Sequence, residues 1–536
     1  MISDLLRRLL PFAWFLPGFL LWAAFPPMGE KTDVLFALAP LMWLSRRGDA
    51  RESAKRWFQG GAFYWVATLS WMPAIVKNGG PWPLVALGWF ALAAYCAAYF
   101  AAYGFLAAKV WGWTRGGGYG RRLFAVLVAE PVLWCGLEIV RSRLLGGFAW
   151  NQLGVVPANG GFGAPAAIGG VYLLSAAVVL VNGTVAGVAE RVMRQAPRLA
   201  GVETLLSLAA VFGMYWASSF VAPPSVRGGE AGRLKVALVQ RNFPCVFKGR
   251  EDSPYETYGR LLQSAEALKP DLVVLPESAL CEFGPADQQG ALRFAGWVRE
   301  KTGAALLAGG TRFSDGREYN SAALYAADGA IRVYDKVHLV PFGEFIPGDK
   351  WITPLQKLAP VGSCTPGELK TLALVPGFDG ESLGVAICFE DTDSAQMRRL
   401  ANMGAGLLVF ITNDSWFSNS VEAEQHAWQA TARAIETGLD VVRVGNNGVT
   451  GTISPDGRAS WLAGPDGRPL VDRQGSMVDR VALLPALGEN GGWRGYTTPY
   501  AALGDIPLFA TFALLMLAMI LVKYAHRHEK RRNLSM

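Results

Sequence analysis

The chain has 536 residues, a formal net charge of +7 and a mean hydropathy of +0.24. Hydrophobic residues make up 51% of it and charged residues 17%, against about 25% charged in ordinary globular domains. This composition excludes a disordered chain and argues against a protein that is soluble throughout. Most clustered basic residues lie in short loops between apolar runs, where they set membrane orientation. We therefore expect no nucleic-acid partner.

Long apolar runs predict a polytopic α-helical membrane domain, because a span needs about 20 mostly apolar residues. The second run is short enough to be re-entrant. If all eight runs cross and the N-terminus is cytoplasmic, Lys and Arg concentrate in the cytoplasmic loops, for example at 46–56. This bias predicts eight spans with both termini in the cytoplasm. The predicted spans are about 9–25, 32–44, 57–75, 82–108, 123–140, 161–187, 202–221 and 506–523.

These spans divide the chain into three parts. We expect a membrane domain with seven spans at 1–222 and a globular insert at 225–505 outside the cytoplasm. The eighth span and a basic cytoplasmic tail follow at 506–536. A Pro- and Gly-rich stretch near 222–232 is typical of a linker.

The insert alternates short apolar runs with amphipathic stretches, which is typical of an α/β domain whose strands are buried on both faces. Predicted helices lie at 254–268, 286–302, 393–403 and 421–437. Predicted strands lie at 233–240, 271–276, 304–309, 320–326, 330–335, 369–375, 382–388, 405–412 and 440–446.

Cys388 is the first candidate nucleophile, because it ends the apolar strand Gly-Val-Ala-Ile-Cys shortly before a predicted helix. Amide groups and a helix N-terminus at such a junction favour the thiolate. Taken alone, a free Cys is more often a small buried hydrophobe. Two further ionisable residues change this balance: Glu277 follows a buried strand in Val-Val-Leu-Pro-Glu-Ser, and Lys336 lies in the run Val-Tyr-Asp-Lys-Val-His-Leu. A carboxylate can take the thiol proton, and a lysine can stabilise an oxyanion.

Three motifs carry a family resemblance. Leu-Pro-Glu-Ser at 275–278, Tyr-Asp-Lys-Val-His-Leu-Val-Pro-Phe-Gly-Glu at 334–344 and Ile-Cys-Phe-Glu-Asp at 387–391 resemble the Glu–Lys–Cys set of the nitrilase superfamily. Further stretches, including Asn-Asp-Ser-Trp-Phe at 413–417, Asn-Asn-Gly-Val-Thr at 446–450 and Gly-Phe-Ala-Trp at 147–150, narrow the match. They resemble the apolipoprotein N-acyltransferase family, a membrane-embedded branch of that superfamily. The resemblance implies that the α/β insert is a nitrilase-like αββα sandwich.

The resemblance also implies a two-step, ping-pong acyl transfer. Glu277 would be the general base, and Cys388 would attack the sn-1 acyl ester of a phospholipid to form a thioester. The α-amine of a diacylglyceryl-modified N-terminal cysteine of an apolipoprotein would then take the acyl chain. Lys336 and the backbone N–H of Phe389 would hold the oxyanion. The implied location is the bacterial inner membrane, with the insert on the periplasmic side.

Supporting and substrate-binding residues follow from the same comparison and from the apolar loops. Glu344 and Glu390 match family positions near the site, and we expect them either to order Lys336 and shape the pocket or to form plain structural salt bridges. The segment 345–364, which contains Trp351, and the pair Trp416-Phe417 are apolar for surface loops. Such loops beside a membrane favour contact with acyl chains over packing on the domain.

Several sequence features point away from other chemistry. The four His lack metal-ligand spacing, so we expect no metal and no cofactor. Whether two of Cys245, Cys281 and Cys364 form a disulfide stays an open question. We expect a monomer.

Two other functions compete with the acyltransferase: a membrane-tethered nitrilase-like amidase or hydrolase with water as the acceptor, and a non-catalytic scaffold or transporter.

Overall fold

The computed structural model describes residues 15–115, 117–193, 197–221, 233–244, 253–283, 288–346, 364–373, 382–484 and 498–534. The chain packs into two compact units. The helical unit comprises Met1–Ser70, Ala86–Phe220 and Leu503–Met536. The α/β unit comprises Trp71–Val85 and Val221–Ala502. The predicted bounds 1–222, 225–505 and 506–536 stay predictions.

The helical part of the chain consists of long apolar helices and short connecting turns. Its main helices are Phe15–Ala23, Ala39–Ser45, Ala50–Thr68, Trp82–Thr114, Tyr119–Phe124, Glu130–Arg141, Val155–Asn159, Ala166–Met193, Pro197–Ser219 and Ile506–Leu534. A π-helical turn at Ala125–Ala129 joins two of them, so that Tyr119–Arg141 forms one continuous helical segment.

Three of the described helices are long and apolar enough to cross a membrane: Trp82–Thr114, Tyr119–Arg141 and Ala166–Met193. A shorter apolar helix lies at Ile506–Val522. The predicted span at 32–44 is not continuous, because a 3₁₀ turn precedes the seven-residue helix Ala39–Ser45. At about 1.5 Å per residue that helix is too short to cross a bilayer alone. The count of eight spans is therefore not confirmed.

Glycines allow two helices of this unit to approach closely. A Cβ on Gly104 would lie 2.2 Å from Cδ1 of Trp57, and one on Gly61 would lie 2.7 Å from Cγ of Phe100. Trp57 and Phe100 are both buried. Small residues at these positions let aromatic rings of one helix pack directly on the backbone of its neighbour.

The α/β unit contains two six-stranded mixed sheets. Their strand orders are β12-β1-β2-β3-β4-β5 and β11-β10-β9-β8-β7-β6. The strands are β1 Arg233–Gln240, β2 Leu272–Val274, β3 Ala305–Ser314, β4 Arg317–Tyr325, β5 Ile331–Asp335, β6 Leu372–Ala373, β7 Ser382–Ile387, β8 Ala405–Thr412, β9 Val441–Gly445, β10 Gly451–Ile453, β11 Ala459–Trp461 and β12 Gly475–Ala482. The strands β1-β2-β3 run parallel to one another, and so do β7-β8-β9.

The two sheets pack face to face through one apolar core, to which Leu234, Val274, Val385 and Val409 belong. A second core joins the helices Pro254–Leu268 and Gln288–Thr302 to the outer face of the first sheet. A third joins the helices Ser394–Asn402 and Glu422–Thr437 to the outer face of the other sheet. The layer order is therefore α-β-β-α, as the family resemblance implied.

Candidate active site

Cys388 lies where a fully buried strand turns into a short helix. The six residues of β7 are buried, and Cys388 follows as the first residue of the 3₁₀ helix Cys388–Thr392. Its φ is 54°, in the left-handed region that L-residues seldom adopt. Such a conformation costs about 1–3 kcal/mol, and residues that adopt it cluster at functional sites. The turn presents the thiol at the carboxyl end of the strand.

Glu277 lies after β2, which is one of the parallel strands of the other sheet. The residue is 7% exposed. Gly309 on the neighbouring strand packs against it, because a Cβ there would lie 2.5 Å from the Glu277 Cα. The side chain of Asn320 donates a hydrogen bond of 2.7 Å from Nδ2 to Oε1 of Glu277. The backbone and the carboxylate of Glu277 are thus both fixed.

Lys336 follows β5 and is almost fully buried. Its Nζ donates to Oε1 of Glu344 at 2.9 Å, and its backbone N–H donates to the carbonyl of Asn320 at 2.8 Å. Asn320 Nδ2 also donates to Oε1 of Glu344 at 2.7 Å. Glu277, Asn320, Glu344 and Lys336 therefore form one continuous hydrogen-bond network.

Glu390 joins the segment after Lys336 to the turn that carries Cys388. Its carboxylate accepts the backbone N–H groups of Val337 at 2.8 Å and His338 at 3.0 Å. It also accepts the N–H of Ile387 at 2.8 Å and the hydroxyl of Tyr334 at 2.9 Å. Glu390 does not hold the lysine side chain as Glu344 does; it fixes the backbone on both sides of the site.

The protonation of the site differs from one expectation of the sequence analysis, namely that the thiolate of Cys388 is favoured. Burial, supported by the charge of Glu277, raises the pKa of the Cys388 thiol well above its ordinary value, although Lys336 opposes this rise. The thiolate is therefore not favoured, because burial outweighs the short helix that begins at the cysteine. Burial also raises the pKa of Glu277 to about 7, against the lowering effect of Lys336. A neutral thiol needs a base, and a carboxyl that titrates near neutrality suits that task.

The lysine and its carboxylate partner stay ionised. Burial by itself lowers the pKa of Lys336, but the neighbouring acidic groups, of which Glu344 has the largest effect, outweigh burial and raise it. Burial likewise raises the pKa of Glu344, but the Lys336 ammonium brings it below its ordinary value. The site thus holds a buried cation at neutral pH, which can stabilise a developing oxyanion.

The predicted substrate-contacting residues differ in their surroundings. Trp416 is 44% exposed, whereas Phe417 is half-buried and packs edge-on against Trp71 with ring centroids 4.7 Å apart. Phe389 is half-buried, and its ring packs edge-on against that of His338. Trp351 lies outside the described residues, with the rest of 347–363.

Sequence reasoning missed the residues that hold the candidates in place. Asn320 stands in β4 and bonds two of the predicted carboxylates. Tyr334 and Asp414 are buried and lie inside the quoted motifs 334–344 and 413–417, but neither was assigned a role from the sequence; the buried His426 lies outside those motifs. Asn320 stands in the polar half of β4, among Arg317, Glu318 and Ser321, so its residue type gives no signal, and only the folded chain shows that its side chain contacts Glu277 and Glu344.

One group of described residues comes close to a metal-binding geometry. Ligand atoms of Asp414, Glu422 and His426 lie within 4.8 Å of one another. However, both ring nitrogens of His426 face carboxylate oxygens at 3.0 Å, so the imidazole offers no lone pair to a metal. This donor set does not fit a divalent cation. Cys281, Cys364 and Cys388 are free thiols.

Comparison with known proteins first defines the class. The carbon-nitrogen hydrolase family matches residues 235–477. Solved structures with this likeness include a carbon-nitrogen hydrolase from Helicobacter pylori G27, with 19% identity, a TM-score of 0.35 and coverage of 47% of this chain and 89% of that one. Another is an amidase from Nesterenkonia sp. AN1, with 20% identity, a TM-score of 0.34 and coverage of 47% and 93%. The α/β unit is a nitrilase-like carbon-nitrogen hydrolase domain.

The remainder of the chain narrows the class. The family described as apolipoprotein N-acyltransferase N-terminal domain matches residues 17–184. Relatives named apolipoprotein N-acyltransferase include one from Geobacter metallireducens, 32% identical over 82% of this chain and 84% of its own. Others come from Gloeobacter violaceus (30% identical, 93% and 91% covered) and Photobacterium profundum (27% identical, 91% and 90% covered). The chain belongs to the apolipoprotein N-acyltransferase family, and the predicted family and acyltransferase class are confirmed.

Proposed function

We propose that this protein transfers an acyl chain from a phospholipid to the α-amine of the N-terminal diacylglyceryl-cysteine of apolipoproteins. The observation that carries this proposal is the protonation pattern of the site in a chain of this family. A neutral thiol at Cys388, a carboxyl with a pKa of about 7 at Glu277 and a buried cation at Lys336 supply a nucleophile, a base and an oxyanion partner. These are the groups that acyl transfer needs.

In the first half-reaction, Glu277 takes the proton from Cys388 as the sulfur attacks the sn-1 ester carbonyl. The ammonium of Lys336 and the backbone N–H of Phe389 stabilise the oxyanion. The ester C–O bond then breaks, and Glu277 returns its proton to the leaving oxygen of the lysophospholipid. The product is a thioester at Cys388.

In the second half-reaction, the α-amine of the acceptor attacks the thioester carbonyl. Glu277 takes a proton from the amine, and the same two donors hold the oxyanion. The C–S bond breaks, an amide forms, and Cys388 recovers its proton from Glu277. The same base thus serves both steps, because its pKa of about 7 allows it to give and to take a proton at neutral pH.

Glu344 and Glu390 act on the site indirectly in this proposal. Glu344 orients the Lys336 ammonium through the 2.9 Å bond to Nζ. Glu390 keeps the turn of Cys388 in register with the segment after Lys336. We assign Trp416, Phe417 and Trp351 to contact with acyl chains, since large apolar side chains beside a membrane favour its interface; of these, Trp416 is exposed.

The first experiment is mass spectrometry of the purified protein after incubation with phospholipid. The expected result is an acyl group on the peptide that contains Cys388, and its loss in Cys388→Ala. An unmodified Cys388 in protein that consumes phospholipid would contradict the thioester step. A scaffold or transporter predicts that Cys388→Ala leaves function unchanged.

A membrane-tethered hydrolase is the second candidate, because the carbon-nitrogen hydrolase family matches residues 235–477. An assay with phospholipid and a diacylated lipopeptide separates the two. Acyl chains in amide linkage on the peptide support transfer, whereas free fatty acid alone supports hydrolysis. We further propose that the protein is a monomer of the bacterial inner membrane with its α/β unit on the periplasmic side.

A further inference from the structure

His426 lies between two buried carboxylates that belong to different turns of the α/β unit. Its Nε2 is 3.0 Å from Oδ1 of Asp391, and its Nδ1 is 3.0 Å from Oδ1 of Asp414. Asp391 belongs to the 3₁₀ helix that begins with Cys388, and Asp414 begins the turn after β8. The imidazole therefore bridges the turn of the candidate nucleophile and the turn at the end of the neighbouring parallel strand.

Both ring nitrogens of His426 face acceptors, which fixes its protonation. A neutral imidazole carries one N–H, whereas an imidazolium carries two, and ionised carboxylates can only accept. Burial raises the pKa of Asp414, but the charges of His426 and Arg443 hold it below its ordinary value. Burial lowers the pKa of His426, but Asp391 and Asp414 outweigh burial and Arg443 and raise it to about 10. His426 is therefore a cation at neutral pH.

Arg443 completes a charge-balanced cluster. Its Nη1 contacts Oδ2 of Asp391, and its Nη2 lies 3.7 Å from Oδ2 of Asp414. Glu422, whose Oε1 lies 3.6 Å from the ring of His426, adds no charge, because burial, supported by Asp414, raises its pKa well above the ordinary value. Two carboxylates thus face two cations, and removing either cation leaves a buried negative charge.

The balance matters at the reaction site. After burial, the largest effects on the Cys388 thiol come from the charged groups Glu277, Lys336, Asp414 and Glu344, and Asp414 raises the pKa of the thiol. Asp414 also raises the pKa of Glu277, after the larger effects of burial, Lys336, Glu344 and Asn320. An uncompensated carboxylate at Asp414 would raise the pKa of the Cys388 thiol further, so that less of it would be thiolate.

We infer that His426 is a positioning residue for the reaction at Cys388. Its imidazolium fixes the separation of the two turns and cancels the carboxylate charge beside the thiol. The inference rests on the proposed function only in taking Cys388 as the nucleophile.

The test is the pH dependence of Cys388 alkylation by iodoacetamide in the purified full chain, read on its peptide by mass spectrometry. His426→Gln removes the cation and keeps a polar side chain. We expect its alkylation midpoint to rise by about one pH unit, which makes alkylation at neutral pH about tenfold slower. Arg458→Gln is the control, since Arg458 is an exposed cation paired with the exposed Asp456; its midpoint should equal that of the unchanged protein.

A charge-balanced double variant separates electrostatics from packing. His426→Gln combined with Asp414→Asn again leaves one cation for one carboxylate, so its midpoint should return towards that of the unchanged protein. A purely structural role predicts no return, because the double variant loses more contacts. An unshifted midpoint in His426→Gln, or no return in the double variant, overturns the inference.

A measurement on the unchanged protein keeps the inference testable if the variants do not fold. Hydrogen exchange at the C2 position of the imidazole reports the histidine pKa, and the expected midpoint for His426 is near 10. A midpoint near the ordinary value of about 6.5 overturns the inference. Neither readout uses phospholipid or lipopeptide, so the two proposals can fail separately. If acyl transfer fails but His426→Gln shifts the alkylation midpoint as expected, the proposed function is refuted and the inference about His426 stands.

Discussion

At the level of single residues, the role of Glu277 as the base determines which step of the reaction is stopped when Glu277 is replaced. If Glu277 is the base, Glu277→Gln removes the only group that we assign to take the thiol proton, so the thioester should not form. We expect acylation of Cys388 to fall by about 10²–10⁴-fold. Mass spectrometry of the isolated variant with phospholipid checks this, and an acyl-enzyme that accumulates in Glu277→Gln would contradict the assigned role.

The same group sets the pH dependence of the first half-reaction. The base must be unprotonated, so the rate of Cys388 acylation should rise with pH to a midpoint near 7. The hydrogen bond from Asn320 lowers the pKa of Glu277, so Asn320→Ala should move the midpoint upward, by about one unit.

Asn402→Ala is the matched control for that shift. It removes an amide that donates to the carbonyl of Ala501 and to none of the site residues. Its midpoint should stay that of the unchanged protein. A midpoint that stays or falls in Asn320→Ala would contradict the assignment of Glu277 as the titrating base.

The chemistry of the site was predictable from sequence, but its protonation was not. Glu277, Lys336 and Cys388 stand in local motifs that can be read along the chain. The state of the thiol depends on burial and on charges from distant segments, and the helix-terminus argument gave the wrong sign for it. The roles of Asn320 and His426 were missed for the same reason. The carboxylates that the side chain of Asn320 bonds are at least 24 residues away in the chain, and those that the ring of His426 bonds are at least 12 residues away.

At the level of elements, helix packing in the helical unit depends on a glycine. Gly104→Ala would place a methyl 2.2 Å from the buried Trp57 ring, and we expect overpacking to cost about 1–3 kcal/mol. Gly112→Ala lies in the same helix with nothing within 4 Å of its Cβ, so it should be neutral or stabilising. Thermal unfolding in detergent compares the two, and equal melting temperatures would contradict the packing argument.

The turn Asp414–Phe417 is held by a segment from far earlier in the chain. Asn78 Nδ2 donates to the carbonyls of Ser415 at 3.3 Å and Trp416 at 3.0 Å. We expect Asn78→Ala to loosen the turn and raise KM for the phospholipid several-fold, while stability falls by about 1 kcal/mol. The exposed neighbour Lys77→Ala is the control. Identical KM values for the two variants would show that Asn78 does not position the turn.

Elements with a strong local pattern were predicted at their observed bounds. The strand β8 is an almost continuous apolar run, β1 contains the apolar run 236–239, and the helix Pro254–Leu268 has a proline to fix its start. The strands β10 and β11 have three residues each, too few to show a period. β12 contains Asp479 and Arg480 and lies at a sheet edge, where its pairing with β1 rather than its composition makes it a strand.

At the level of the whole molecule, the excess of Lys and Arg in alternate loops predicts which side of the membrane each part of the chain faces. A cysteine at Asp456, which is exposed in the α/β unit, should react with a membrane-impermeant thiol reagent in intact spheroplasts. A cysteine at Arg51 should react only after permeabilisation, because the basic loop 46–56 is predicted to be cytoplasmic. The unmodified protein gives the background from its six native cysteines. The reverse labelling pattern would contradict the predicted topology.

The α/β unit is not contiguous in the gene. Residues Trp71–Val85 are encoded before most of the helical unit, yet they pack with the unit that holds Cys388. Trp71 donates to the side chain of Gln425 and stacks edge-on with Phe417. A recombinant fragment cut at the linker near 222–232 would lose these contacts to Gln425 and Phe417, and with them the bonds from Asn78 to the turn Asp414–Phe417. A minimal soluble version of this enzyme therefore needs a graft of the early segment, not a simple truncation.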